Sequence, residues 1–188
     1  MVEAAEQVFA ERGFRAASMD EIAARVGVTK PMLYEYFGSK DGLLVACVAR
    51  ARAELFARTE RAHASARDPE RRVRDGVREF FEFIAGHSAV WSVLRGEQAL
   101  GAGPAAEAVE DVRRQQSDQL AVVLASVPSL AELPAARLVA YADVVVGACE
   151  QLAARQGTAR ELDPAVATDV VMDALWTGLG SPTAGSRP

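Results

Sequence analysis

Apolar residues recur three and four positions apart along almost the whole chain, and the places where that rhythm breaks predict an all-α fold of about nine helices. Val2, Ala5 and Phe9 form the first stripe, Gly13 ends it, and Phe14 plugs the small N-terminal head. Ser18 followed three residues later by Glu21 is a capping box, so a second helix begins at Met19 and runs through Ile22, Ala23 and Val26 to a stop at Gly27. The hydroxyl of Thr29 caps a third helix, and Pro31 stands in its first turn, where a missing N–H costs nothing. Leu33 and Phe37, four apart, face Ile22 and Val26; Pro31, Met32, Tyr34 and Glu35 point elsewhere. Two short helices joined by a turn of about three residues containing Gly make a helix-turn-helix, the motif that sets its second helix in the major groove of DNA.

The pattern continues with a long helix capped by Ser39 that buries Leu43, Leu44, Cys47, Val48, Ala51 and Leu55. Arg50, Arg52, Arg58 and Arg61 along its later half read as a solvated face, with phosphate contact as the rival reading. Asp68-Pro69 opens the next helix, striped by Val73, Val77, Phe80, Phe81 and Ile84 and ending near Gly86. A short helix from His87 and Ser88 carries Val90, Trp91, Val93 and Leu94 to Gly96, and the Gly-rich stretch from 96 to 104 is a loop. From Pro104 a helix passes through Val109, Val112, Leu120, Val123, Leu124 and Val127, interrupted by the polar run from Arg113 to Gln119, and Pro128 to Pro134 is a second loop. The last two helices, about 135 to 155 and, capped by Asp163-Pro164, 164 to 179, are apolar over more than one face.

At the helix-turn-helix the sequence resembles the TetR family of bacterial one-component transcriptional regulators. The matching residues are Phe9 and Ala10, Gly13-Phe14, Ile22 and Ala23, then the run GVTKPMLYEYFGSKDGLL from Gly27 to Leu44. The resemblance covers about the first 50 residues; beyond them it is one of length and helical layout. It implies a DNA-binding head, 1–46, and a helical ligand-binding and dimerisation body, 47–180; the tail SPTAGSRP, 181–188, is small and polar, which predicts disorder. It implies that the third helix enters the major groove through Thr29, Lys30, Pro31, Met32, Tyr34 and Tyr36. Lys30 reaches guanine acceptors or a phosphate, Met32 a thymine methyl, and the tyrosine hydroxyls phosphates. Tyr36 has a second reading as a packed residue. Lys40 looks like the family's phosphate-clamping lysine, and Ser18 adds a backbone contact.

A palindromic operator requires a two-fold dimer, and family members pair their last two long helices as a four-helix bundle. The excess apolar surface there, Val139, Val146, Val170, Leu175 and Trp176, is then the dimer interface, with deep core as the alternative. The helices that enclose the ligand in family members bear Phe80, Phe81, Phe83, Trp91, Tyr141 and Trp176, with ordinary core packing as the alternative for each; the run from Arg113 to Gln119, Gln116 within it, together with His87, Arg95, Gln98, Glu150 and Gln151, supplies the orienting polar groups. Apolar aromatic walls suit a lipophilic small molecule. The implied function is a ligand-responsive repressor that occludes a palindromic operator as a homodimer and is released by that molecule. The alternatives are an activator of the same type and a small-molecule-binding dimer that has lost useful DNA affinity.

Composition and charge qualify the picture. A formal net charge of -5 is unusual for a protein that approaches phosphates, and residues 1 to 45 hold five basic residues against seven acidic ones. Family members often carry an Arg- or Lys-rich arm before the first helix, whereas this chain starts almost inside it. Phosphate contacts set affinity and base contacts set sequence preference, so the shortfall bears on affinity. Cys47 and Cys149 have no partner spacing for zinc and read as buried reduced thiols. His63, on a charged helix, and His87, near a helix junction, have no neighbouring nucleophile or metal pattern, so no catalysis, metal or cofactor is expected. No apolar run approaches a membrane span and no leader precedes the first helix, which predicts a cytoplasmic protein without a membrane partner.

Overall fold

A computed structural model of the chain describes residues 1–65, 67–87, 91, 104–155 and 157–180, with the backbone alone at 104, 105 and 177–180. The regular elements among the described residues are all helices: α1 (Val2–Ala16), α2 (Met19–Val26), α3 (Lys30–Phe37), α4 (Lys40–Ser65), α5 (Pro69–Gly86), α6 (Pro104–Leu124), α7 (Ala135–Ala153) and α8 (Pro164–Gly180). The short helix expected from His87 to Gly96 lies, apart from His87 and Trp91, outside the described residues, as do the loop up to 103 and the tail 181–188. The helices fall into two compact units, one of residues 1–54 and 87–112, the other of 55–86 and 113–188. Helix α4 contributes its first part to one and its last part to the other.

The first unit is built as its punctuation predicts. Gly13 takes φ 75° and ψ 156°, a conformation closed to most side chains, and breaks α1 there, although a last turn continues to Ala16. Ser18 Oγ accepts the Glu21 amide at 3.1 Å, so half of the capping box forms; the Glu21 carboxylate pairs with Arg12 at 3.3 Å. Gly27 closes α2 in the left-handed region, at φ 78° and ψ 29°, and its amide and that of Val28 both reach the Ala23 carbonyl. Thr29 occupies the N-cap of α3 without a side-chain cap bond, contrary to the capping role expected of its hydroxyl; the Leu33 amide bonds to the Thr29 carbonyl. Phe9, Ile22, Leu33, Leu43 and Leu44 form the sealed centre, with Val26, Phe14 and Phe37 packed at its edge. Val8 is buried beside Phe9 although it lies outside the stripe read from sequence.

The second unit packs its helices about an apolar interior. Asp68 caps α5 through the Arg71 amide at 3.0 Å, and Asp163 caps α8 through Ala165 at 2.8 Å, the two Asp-Pro signals acting alike. Helix α5 turns Val73, Val77, Phe80, Phe81, Phe83 and Ile84 inward and packs along α8, where Arg74 meets Asp169 at 2.6 Å. Helix α7 packs on both. Leu130, in the connection read only as a loop, is fully buried, and a chain of i to i+3 bonds from Ser126 to Leu133 satisfies the backbone around it.

Candidate DNA-facing helix and ligand cavity

On α3 a single buried side chain, Leu33, fixes the helix to the head, while Met32, Tyr34 and Tyr36 stand 38%, 42% and 64% exposed. Thr29, Lys30, Pro31 and Glu35 are exposed with them. Aromatic and thioether surface is costly to leave in water, and nothing in the head uses it. The packed alternative for Tyr36 does not describe its place: its ring lies 6.4 Å from that of Phe37 and is otherwise open.

The cations around this surface are mostly engaged. Arg25 forms a two-pronged pair with Glu11 at 2.8 Å, Arg12 pairs with Glu21, and Lys30 pairs with Asp20 at 2.8 Å. These pairs are exposed and weak, so a polyanion can compete for their cations. Lys40 differs. Its ammonium donates to the carbonyls of Phe14, Arg15 and Ala17 at 2.9, 3.2 and 3.1 Å and lies 4.7 Å from the centre of the Phe14 ring. All three N–H groups are used to close the C-terminal end of α1, where carbonyls have no intrahelical partner and a positive charge is favoured. In this geometry none is left for a phosphate. Ser18 likewise spends its oxygen on the α2 cap.

We predict that Lys40→Met lowers the stability of the head by about 2 kcal/mol, the scale of lost charge-assisted hydrogen bonds. Chemical denaturation followed by circular dichroism reads it; unchanged stability with weaker DNA binding would restore the phosphate role.

The second unit encloses a cavity of about 50 Å³. Helix α4 contributes Thr59 and His63; α5 contributes Val73, Gly76, Val77 and Phe80. Helix α6 adds Gln116, Gln119 and Leu120, and α7 adds Val145, Val146 and Cys149. Of the ligand residues expected from sequence, the structure brings Phe80 and Gln116 to this cavity. Phe81 and Phe83 are buried elsewhere in α5, and Gln151 is exposed. The Tyr141 hydroxyl bonds to Arg137 at 3.2 Å. His87, 3.4 Å from Glu54, and Trp91 belong to the first unit; Trp176 is half-buried off the cavity, and Arg95 and Gln98 lie outside the described residues. Arg113 and Glu150, two more of the expected polar groups, neutralise each other at 2.9 Å.

The polar residues that sequence reading missed are Thr59 and His63, with Cys149 beside them; Gln119 ends the polar run expected to supply orienting groups, and it lines the cavity. Ala51, Leu55, Thr59 and His63 are spaced by four and continue the buried stripe of α4, which was the signal available; the charged neighbours hid it. Thr59 Oγ lies 3.0 Å from the Gln119 side-chain amide and within hydrogen-bond reach of the Leu55 and Phe56 carbonyls. A hydroxyl has one proton, so with a backbone carbonyl taking it Thr59 Oγ accepts from the Gln119 amide nitrogen. His63 packs its ring over Gly76, where a Cβ would come within 2.2 Å of Cε1, and its Nδ1 lies 2.8 Å from the Arg72 carbonyl. A carbonyl only accepts, so Nδ1 carries the proton and Nε2 is the ring's acceptor. Burial pushes the Cys149 thiol up to about 12, making it an inert apolar wall.

Burial also lowers the His63 pKa, with Arg72 working in the same direction and the Arg72 carbonyl and Asp75 opposing. The unfolded chain therefore binds the His63 proton more readily than the folded one. The contribution of neutral His63 to stability is complete above its ordinary value of 6.5 and is lost as pH falls from there toward the lower folded value. A His63→Gln variant should show a flatter fall in melting temperature across that acid window; an equal slope in both chains would remove the assignment.

Val146, expected at the dimer interface, is 8% exposed and lines the cavity, so it is not available to a partner. The open apolar positions are instead Val144 on α7 and Val166 and Val170 on α8, with Ala140, Gly147 and Ala174 exposed at helical spacing between them. Val139, Leu175 and Trp176 are half-buried beside this strip. No group of metal-ligating side chains is assembled among the described residues, and no described helix is long and apolar enough to cross a membrane.

Both parts of the chain are similar to known regulatory proteins. Residues 1–47 match the model of bacterial regulatory proteins of the tetR family, and residues 69–178 match that of the tetracyclin repressor-like C-terminal domain. The HTH-type transcriptional activator FasR of Mycolicibacterium smegmatis is 44% identical over 81 residues, covering 43% of this chain and 37% of that protein. The HTH-type transcriptional repressor KstR2 of Mycobacterium tuberculosis is 32% identical over 117 residues, covering 62% and 58%. The chain thus spans less than two thirds of the length of these curated relatives. A TetR-like transcriptional regulator from Rhodococcus sp. RHA1 superposes with a TM-score of 0.73 at 30% identity, over 98% of this chain and 94% of that one. The chain belongs to the tetR family of bacterial regulatory proteins.

Proposed function

We propose that the protein is a ligand-responsive transcriptional repressor that binds a palindromic operator as a homodimer and leaves it when a small apolar molecule enters the cavity of the second unit. The observation that carries this reading is the exposed row Lys30, Met32, Tyr34 and Tyr36 on a helix whose inner side is anchored by fully buried Leu33. Side chains of that chemistry match what the major groove presents: guanine acceptors, thymine methyls and flanking phosphates. The Thr29 hydroxyl, not spent on a cap, joins them. Lys40 and Ser18 enter the proposal as residues that position α3.

A dimer pairing through the Val144, Val166 and Val170 strip presents two heads to successive major grooves on one side of DNA, about 34 Å apart. The cavity supplies the signal. Its volume, about 50 Å³, is far below the several hundred that enclose a drug-sized ligand, so such a ligand must part the helices around it. Thr59 and His63 stand on α4, whose other end, Lys40 to Glu54, belongs to the unit bearing α3. A ligand that prefers the parted state by roughly 1–3 kcal/mol shifts the population away from DNA.

The paired cations of the head favour the second reading, a small-molecule-binding dimer with little DNA affinity. Binding of the protein to its own upstream DNA at two salt concentrations, with footprinting and a promoter reporter, tests both. A near-palindromic footprint overlapping the promoter, with transcription rising on deletion of the protein, supports repression. Falling transcription would make it an activator, as FasR is named, and no footprint at low salt would leave the second reading standing.

A further inference from the structure

The cavity of the second unit has a neighbour. A groove of about 510 Å³ lies between α4 and α6, with Phe56, Ala64, Val122 and Val123 as its apolar walls, and it shares His63 and Gln119 with the cavity. Those two residues stand between cavity and groove. Each is held by a side-chain hydrogen bond: His63 Nδ1–H donates to the Arg72 carbonyl at 2.8 Å, and the Gln119 amide meets Thr59 Oγ at 3.0 Å. A side chain can change rotamer without breaking the helix that carries it. The His63 ring rests on Gly76, where any Cβ would stand 2.2 Å from Cε1, so the ring keeps this place because residue 76 has no side chain. The ring is also half of a clasp. Arg72 Nε donates to the His63 carbonyl at 2.7 Å while its own carbonyl accepts from the ring, so the end of α4 and the start of α5 hold each other twice.

Resting on the reading of this unit as the ligand-binding half, we propose that cavity and groove are one binding channel, closed in the empty chain by His63 and Gln119, and that a ligand too long for the cavity lies through the place of the His63 ring. Size carries the argument. The cavity, about 50 Å³, has room for a few water molecules, whereas cavity and groove joined reach the several hundred Å³ that enclose a drug-sized molecule. The leading end of the ligand lies against Val77, Phe80 and Val145, and its trailing end against Phe56 and Val122. Filling the channel takes the ring from the Arg72 carbonyl and opens one side of the clasp. Because α4 runs on from that clasp toward the unit bearing α3, entry of the ligand and loosening of α4 from α5 are a single event.

Stopped-flow fluorescence of the full chain with phenylnaphthylamine, an uncharged apolar probe that brightens out of water and is far larger than the cavity, tests this. Val122→Trp and Ala64→Trp, both at exposed positions, fill the groove and should slow association by about tenfold or more. His63→Ala removes the ring, and Gly76→Ala displaces it with every polar group kept; each should speed association by about tenfold or more. The His63 ring N–H, protected while bonded to Arg72, should exchange with solvent in nitrogen-edited NMR once the probe is bound. Parent rates in both tryptophan variants, parent rates in both His63→Ala and Gly76→Ala, a ring N–H that stays protected, or no binding of the probe would each overturn the proposal. So would a changed oligomeric state in Val122→Trp, which would make the groove a contact between copies of the chain. Release of DNA is measured alongside. A probe that binds with these rates yet leaves the DNA complex intact upholds the channel and overturns induction; a probe that releases DNA with parent rates in all four variants does the reverse.

Discussion

Val170→Asp is expected to turn the protein into a monomer at micromolar concentration and to cut operator affinity by roughly a hundredfold or more, because two linked heads bind far more tightly than one. Val170, Val166 and Val144 stand about half exposed, and the small residues between them let a second pair of helices approach closely. In a two-fold pairing each strip meets its own copy, so one substitution places two carboxylates near the same apolar seam. Desolvation and like-charge repulsion then oppose the dimer together. Gly147 makes a second probe. Its missing side chain faces open space in a single chain, so Gly147→Leu leaves the monomer fold unhindered and obstructs a partner. Val122, 73% exposed on α6, is the control: Val122→Asp lies off this strip and should leave the dimer intact. Analytical ultracentrifugation with an electrophoretic DNA assay decides it. A dimeric Val170→Asp would move the interface elsewhere.

What was legible in sequence was whatever local chemistry dictates. The Ser18, Asp68 and Asp163 caps, the left-handed Gly27 and the break at Gly13 each need one residue type at one position, and the structure has them there. The inward stripe of α5 and the buried run of α4 from Leu43 to Leu55 followed from spacing. Periodicity failed on α7, whose apolar residues surround the helix: Val144 faces solvent and Val146, about 200° away around the helix, faces the cavity. A helix apolar on two sides announces two burial events without saying which side meets which partner. Lys40 failed for another reason. The carbonyls it caps lie 23 to 26 residues upstream, and no local pattern carries that distance. For the cavity, aromatic content was a poor guide: Phe81 and Phe83 fill core, while the polar lining came from a Thr and a His on a helix whose surface reads as charged.

The reading face gives the other large effect, and it has two directions. Tyr34→Ala removes the ring half exposed beside Met32 on the outer side of α3 without touching Leu33, so thermal stability should be unchanged while operator affinity falls tenfold or more across the two heads. Asp20→Asn works the opposite way. Asp20 holds Lys30 in an exposed pair at 2.8 Å, which holds its pKa above the ordinary value, so the lysine meets DNA already partnered. Removing the carboxylate frees one cation per head and deletes one negative charge facing the phosphates. Affinity at low salt should rise. Two more neutralised phosphates per dimer should steepen the slope of log affinity against log salt by up to about 1.8. Fluorescence anisotropy on one operator fragment over a salt series measures both variants. If Asp20→Asn leaves the slope where it was, Lys30 does not reach the backbone; if Tyr34→Ala binds as tightly as the parent, α3 is not the element that enters the groove.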